Sequence, residues 1–428
     1  MKPLIKSIII VILCIDSFFV AAAGGAGPVD AASASKAELR ATSLVARMSV
    51  GEKAGQVLLV SVGGRGFAPR SSLEMVKNVG PGGILLFGFN VPEVPTGICP
   101  ALASFQEAAR TSGAGLPLLV AIDHEGGFVF RFHGGITRPP SPLETARRGR
   151  AYAALLGRRE ALELGDLGIT MVLGPVVEAL TAENRAFLGS RSYGSDPGLV
   201  DSTAAAYIRG LAEGGAIAVA KHFPSDGPAD PHLSLPRLDV SADRLRSLYL
   251  GRFRAAIEAG VPAIMISHIV VEAIDPARPA TLSAKVIGIL RNELGFGGVV
   301  LTDDLLMKAL DMPVRLSAPE AIAAGADLLM LSSEAAAIPA RDAIVAALRS
   351  GRLSERRLDE AVTRVVALKL ESAELVARAA AAGAVMGSGA GSDTNMEPLT
   401  TPASRCASFA SRVAESARLL SAVAADPR

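Results

Sequence analysis

Tryptophan is absent from this chain, and four tyrosines and 14 phenylalanines are its only other large aromatic rings. An extended polysaccharide platform would want more stacking surface than that, which weighs against one. An excess of either charge is also absent. The 43 lysines and arginines stand against 42 acids, a formal net charge of +1. Nucleic acid is therefore not an expected partner, because it would select a basic stripe. Histidines number five. They are scattered, with no HxH or HExxH spacing, so no metal and no cofactor is expected. Three cysteines are too few for a disulfide framework. One bond between Cys99 and Cys406 is possible in an oxidising compartment. A GxGxxG turn is missing after the first apolar run, which leaves an open doubly wound sheet as the second choice of fold.

What is present is half apolar, enough for one large domain or two modest ones. The chain opens MKPLIKSIIIVILCIDSFFVAAAGG. Two lysines, an apolar run and small residues at Ala21 to Ala23 form a signal-peptide pattern over residues 1–23. Asp16 interrupts the run and disfavours a membrane anchor. Cys14 invites lipidation, but the bulky Leu13 precedes it. The expectation is export, periplasmic or secreted, with no stable membrane insertion after removal of the signal.

Eight short runs follow, each nearly continuous in apolar residues. They begin at Leu58, Gly82, Pro117, Ile169, Ala216, Pro262, Gly298 and Ala326. Such runs suit parallel strands buried on both faces. Helical segments alternate with them, as in GLVDSTAAAYIRGLAEGG from Gly198 and SADRLRSLYLGRFRAAIEAG from Ser241. In the second, Ser241 is a plausible N-cap and Gly260 a plausible stop. The alternation predicts an α/β fold, a single (β/α)8 TIM-type barrel over residues 40–371. A closing helix is expected from Ser354 to Leu370. Residues 372–428, rich in alanine, serine and glycine, are expected to be a partly disordered tail.

A barrel carries its site at the C-terminal ends of its strands. Charged residues collect there: Asp123, His124 and Glu125 after the third run, Glu178 and then Arg191 after the fourth. Lys221 and His222 end the fifth, Ser267 and His268 the sixth, and Asp303 and Asp304 the seventh. Any one of them could be an ordinary loop residue. Together they need a reason to sit beside buried apolar runs. In the loop after Lys221, Asp230 and His232 flank Pro231. Residues two apart in an extended chain share a side, so Asp230 could orient the His232 imidazole. Spacing alone does not choose between Asp303 and Asp304, since strand neighbours point opposite ways.

These segments resemble glycoside hydrolase family 3, and more nearly its bacterial β-N-acetylhexosaminidase branch. The resemblance runs from MSVGEKAGQVLLV at Met48 to ADLLMLSS. It is carried by IDHEGGFVFRFHGGITRPPSP, GPVVEAL, GSRSYGSDP, KHFP and PATLSAKVIGILRNELGFGGVVLTDDLLMKAL. It implies a retaining enzyme that hydrolyses terminal β-N-acetylglucosaminides of peptidoglycan fragments or chitooligosaccharides. Asp303 would be the nucleophile, and His232 with Asp230 the acid/base pair. Asp123, Arg131, Arg191, Lys221 and His222 would bind the sugar. A small saccharide is the partner so implied, and a monomer is expected. The chain departs from the family pattern in places. KHFPSDG stands for KHFPGHG, and the loop to the Asp-x-His pair is about two residues short. Pro231 replaces a serine, Phe128 an arginine and Glu178 an aspartate. Two alternatives follow. One is a family member acting as a β-glucosidase or phosphorylase. The other is an exported sugar-binding protein whose shortened loop has impaired turnover.

Overall fold

The computed structural model describes residues 31–231 and 233–387 together with Cys406. Each of the eight apolar runs holds a strand, and each strand's residues are buried. These are β1 (Leu58–Ser61), β2 (Gly83–Leu86), β3 (Leu119–Ile122), β4 (Met171–Val172), β5 (Ile217–Phe223), β6 (Ala263–Ile266), β7 (Val299–Thr302) and β8 (Leu329–Leu331). All pair in parallel, β1 lying between β8 and β2. A parallel bridge between Leu301 and Leu328 joins β7 to the start of β8, so the sheet curls into a barrel. Helices cover its outside.

The strand pleat sorts the core into two layers. Leu59, Leu85, Leu119, Ala121, Met171, Ile217, Val219, Ala263, Met265, Val299, Leu301 and Met330 belong to the inner cluster. Their neighbours in sequence, such as Val60, Val120, Ala218, Ile264 and Val300, pack outward under the helices. This is the period-two alternation of a pleated strand, with both faces apolar because both are covered. The C-terminal helix Glu355–Gly387 sends Val365 and Leu368 into the inner cluster. It runs past the expected end at Leu370.

The two helices anticipated in detail are present. Asp196 caps Pro197–Glu213 by accepting a bond from the Leu199 amide at 2.9 Å. Ser241 likewise accepts from the Arg244 amide at 3.2 Å. The segment it starts passes through Ala242–Arg244, a π-helical turn Leu245–Leu250, and Gly251–Glu258. Gly260 follows with φ +85°, a conformation that suits a helix stop without a Cβ.

One apolar run divides. The stretch from Pro262 to Val271 gives β6 and then a separate two-residue strand, Val270–Val271, which pairs with Arg237–Leu238. This small ladder fastens the loop after β5 to the loop after β6. Gly227 lies under it with φ +67°, and a Cβ there would collide with the Ile269 side chain. Cys99 and Cys406 are joined in a disulfide. Among the described residues no helix is long and apolar enough to cross a membrane.

Candidate active site

Continuing the inward-facing positions upward along three strands leads to three charged side chains. Leu119 and Ala121 lead to Asp123, Ile217 and Val219 to Lys221, and Val299 and Leu301 to Asp303. The pleat therefore delivers a carboxylate, an ammonium and a second carboxylate toward the mouth of the barrel. It also separates the two aspartates after β7. Asp304 Oδ1 accepts from the amides of Leu306 at 3.2 Å and Ser332 at 3.0 Å, tying the loop to the end of β8. Asp303 is half-buried, and its Oδ1 accepts the Asp304 amide at 2.8 Å.

Four of the anticipated residues form one line of charges, joined by Glu125, a strand-end residue given no role from the sequence. Arg131 Nη2 is 2.9 Å from Asp123 Oδ2, and Lys221 Nζ is 3.0 Å from Asp123 Oδ1. Lys221 Nζ also lies 2.7 Å from Glu125 Oε1. Arg191 grips Glu125 with both Nε and Nη2, each at 2.8 Å. Burial alone would push both carboxyls up. Lys221 and Arg131 outweigh it at Asp123 and hold that carboxyl well below the usual range. Lys221 and Arg191 do the same at Glu125, which falls to about 2. Burial pulls Lys221 down, but Glu125 and Asp123 more than compensate, so its ammonium is held charged. The line is thus ionised along its length and fixed in place, a preorganised set of donors and acceptors.

His222 sits in a second cluster. Its Nδ1 is 3.1 Å from Glu178 Oε1 and 2.8 Å from Asp226 Oδ2, and all three residues are buried. Glu178 is itself held by the His222 amide at 3.2 Å, the Ser225 hydroxyl at 2.7 Å and the Asp226 amide at 3.0 Å. Burial would lower the His222 basicity, but contact with Asp226 and Glu178 raises it to about 9. The three ligand atoms lie within 4.8 Å of one another. The 2.8 Å approach is that of a charge-assisted hydrogen bond. With the ion pairs formed, the cluster places one imidazole against two carboxylates.

The other histidines divide. His268 spends both ring nitrogens inside the fold, on Thr281 Oγ1 at 2.7 Å and the Asp304 carbonyl at 2.8 Å. His124 is buried beside Phe130 and Phe132, and burial lowers it to about 4. His133 is exposed. His232 lies outside the described residues. Its neighbours are described: Asp230 accepts the amides of Leu233 at 3.0 Å and Ser234 at 3.2 Å through its carbonyl. The Pro231 carbonyl accepts the Ala309 amide at 3.2 Å, docking this loop on the segment that follows Asp303.

Glu125, Glu178 and Asp226 are the cluster residues that sequence reasoning left without a role. Glu125 had a visible signal, as the third charged residue closing the DHE of β3. Asp226 had only its place in KHFPSDG.

The sequence matches the glycosyl hydrolase family 3 N terminal domain over residues 49–368. It is 35% identical over 273 residues to a beta-hexosaminidase of Alkalilimnicola ehrlichii, covering 60% of this chain and 76% of that one. It is 32% identical over 345 residues to the beta-hexosaminidase LpqI of Mycobacterium tuberculosis, covering 76% and 84%. The fold is similar to that of a family 3 beta-N-acetylglucosaminidase from Paenibacillus sp. str. FPU-7. The TM-score is 0.73 at 32% identity, over 86% of this chain and 69% of the other.

Proposed function

From the premise that this chain belongs to glycosyl hydrolase family 3, we propose that it is a retaining exo-β-N-acetylhexosaminidase. Its substrates are terminal β-N-acetylglucosaminides of peptidoglycan fragments or chitooligosaccharides. The observation that carries the reading is the placement of Asp303 on the inward line of β7, at the rim that holds the paired charges of Arg131, Asp123, Lys221, Glu125 and Arg191. The similarity to beta-hexosaminidases of two bacteria supports the same sugar.

In this mechanism Asp303 attacks the anomeric carbon and the glycosidic bond breaks, giving a glycosyl-enzyme. His232 protonates the departing oxygen and then takes a proton from the water that releases the sugar. Asp230 orients that imidazole. The docking of Pro231 on Ala309 supports a loop that works beside Asp303. Asp123, Arg131, Arg191, Lys221 and His222 bind the terminal N-acetylglucosamine. Because their charges are already paired, they meet the sugar hydroxyls with little reorganisation.

Residues 1–23 are read as an export signal and residues 40–371 as the catalytic domain, with residues 372–428 a tail. The Cys99–Cys406 disulfide supports an oxidising destination, periplasmic or secreted.

Incubation of the purified protein with a chromogenic β-N-acetylglucosaminide and its glucoside counterpart tests the activity. Release from the first and little from the second is expected. Sugar binding without release from either would instead indicate a binding protein.

A further inference from the structure

One ring nitrogen faces two buried carboxylates. If His222 Nδ1 carried no proton, its lone pair would point at Glu178 Oε1, 3.1 Å away, and Asp226 Oδ2, 2.8 Å away. Both are acceptors when ionised, so Nδ1 must donate. With that proton fixed, the charge state of the ring depends on Nε2. Two negative charges in contact favour the second proton there. The charged groups facing the ring are Glu178 after β4, Asp226 in the loop after β5, and Arg191 in the turn Gly189–Arg191. Arg191 opposes the imidazolium, but it is already matched to Glu125 by two hydrogen bonds of 2.8 Å.

The Glu178 carboxylate is held so that it cannot turn away. Glu178 Oε2 accepts the Ser225 hydroxyl at 2.7 Å and the Asp226 amide at 3.0 Å. The Ser225 hydroxyl also accepts the Gly227 amide at 3.1 Å. The short segment Ser225–Asp226–Gly227 therefore fixes Glu178 and the backbone that carries Asp226 beside one imidazole. Ser225 and Asp226 are also positions where the chain leaves the family pattern. That pattern has histidine where Asp226 stands, and a second imidazole could not supply this negative charge.

We propose that Asp226, backed by Glu178, is a positioning residue that keeps His222 an imidazolium, so the ring offers the sugar a charged Nε2–H donor. The proposal rests on the reading that His222 contacts the terminal sugar. Its consequence is a substrate site whose histidine keeps its charge into the alkaline range, in line with the raised basicity of the ring.

The test is a nitrogen NMR titration of the purified protein labelled with 15N-histidine, from about pH 5 to about 10, with H222Q to assign the signal. The wild-type ring should titrate well above the ordinary value of about 6.5. D226N should lower the midpoint by about 1–3 units, the usual effect of removing one opposite charge in contact. D226E should restore it. In parallel, D226N should raise KM for the N-acetylglucosaminide at about pH 8 more than it lowers kcat, where the ordinary imidazole value near 6.5 leaves the ring mostly neutral. D226E should recover most of that loss. Three results overturn the proposal: a wild-type midpoint at or below the ordinary value, a midpoint unmoved in D226N, or stoichiometric zinc held on His222. If D226N fails to fold, a wild-type midpoint at or below the ordinary value still overturns the proposal. The titration uses no substrate, so an absence of hexosaminidase activity would count against the proposed function and leave the clamp to its own test.

Discussion

Glu125 is almost wholly enclosed, its side chain 1% exposed, yet it stays ionised because Lys221 and Arg191 both contact it. Removing one member of such a buried set leaves the others desolvated and unmatched, which typically costs about 3–5 kcal/mol. E125Q keeps the shape and removes the charge. Urea denaturation of E125Q near neutral pH should therefore show a loss of about that size, and substrate binding should weaken with it. The pH dependence has a definite sign. The folded carboxyl titrates at about 2, below the unfolded value of about 4.3. Its stabilisation is present above the unfolded value and is lost as pH falls through the folded one. In E125Q that part of the acid limb should be missing; an unchanged acid limb would contradict the ion-pair account.

At the same scale, D303A should cut turnover by at least about a thousandfold while N-acetylglucosamine still binds, since a nucleophile acts in the chemical step and contributes little to ground-state affinity. Calorimetry and a chromogenic assay on one preparation check both halves. D304A should behave differently. Asp304 anchors two backbone amides, so its loss should lower stability as well as rate.

Among the elements, the C-terminal helix carries the clearest electrostatic signature away from the site. Lys369 is buried beside the barrel floor, and its Nζ donates to Gln56 Oε1 at 2.6 Å. Among the described residues no carboxylate compensates, and burial pushes the ammonium down to about 7. Here the folded value lies below the unfolded one of about 10.4. Between those two values the unfolded chain holds a proton that the folded chain lacks, so stability should rise with pH across the interval. K369M should flatten that rise. Denaturation at about pH 7 and about pH 9.5 in both proteins measures the slopes; equal slopes would refute the buried-lysine account. At the start of β8, Asp327 has the opposite environment. It is fully buried and contacted by Arg291, Arg357 and Arg364. This triple contact pins β8 to the helices that close the barrel.

The elements also show what could be read from sequence and what could not. Each strand is covered on both sides, so it appears as an unbroken apolar run, and all eight were visible. Val270–Val271 and Arg237–Leu238 are two residues each. So short a pair leaves no period to detect, and the first was absorbed into the run before it. Strand ends were legible too, and with them Asp123, Lys221 and Asp303. Spacing did not choose between Asp303 and Asp304; the family resemblance implied the first, and the physical distinction between them, the inward line of β7, is defined only by the closed barrel. The partners across the mouth were not legible. Lys221 meets Asp123 across 98 positions and Arg191 meets Glu125 across 66, and nothing local specifies such pairings.

For the molecule as a whole, the disulfide closes a long loop, Cys99 to Cys406 over 307 positions. A cross-link over so long a loop restricts the unfolded state, and its loss typically costs about 2–4 kcal/mol. C406S, or wild type under reductant, should unfold at correspondingly lower denaturant. Thiol titration of the undenatured protein without residues 1–23 should find neither Cys99 nor Cys406 reactive. Two free thiols there would remove the argument for an oxidising compartment.

The account depends most on Asp303 forming a bond to the sugar. A fluorinated N-acetylglucosaminyl donor that slows breakdown of the intermediate should add one sugar mass to the protein, and peptide mapping should place it as an ester on Asp303. A label on another carboxylate, or turnover of the donor with an inverted product and no labelled protein, would contradict it.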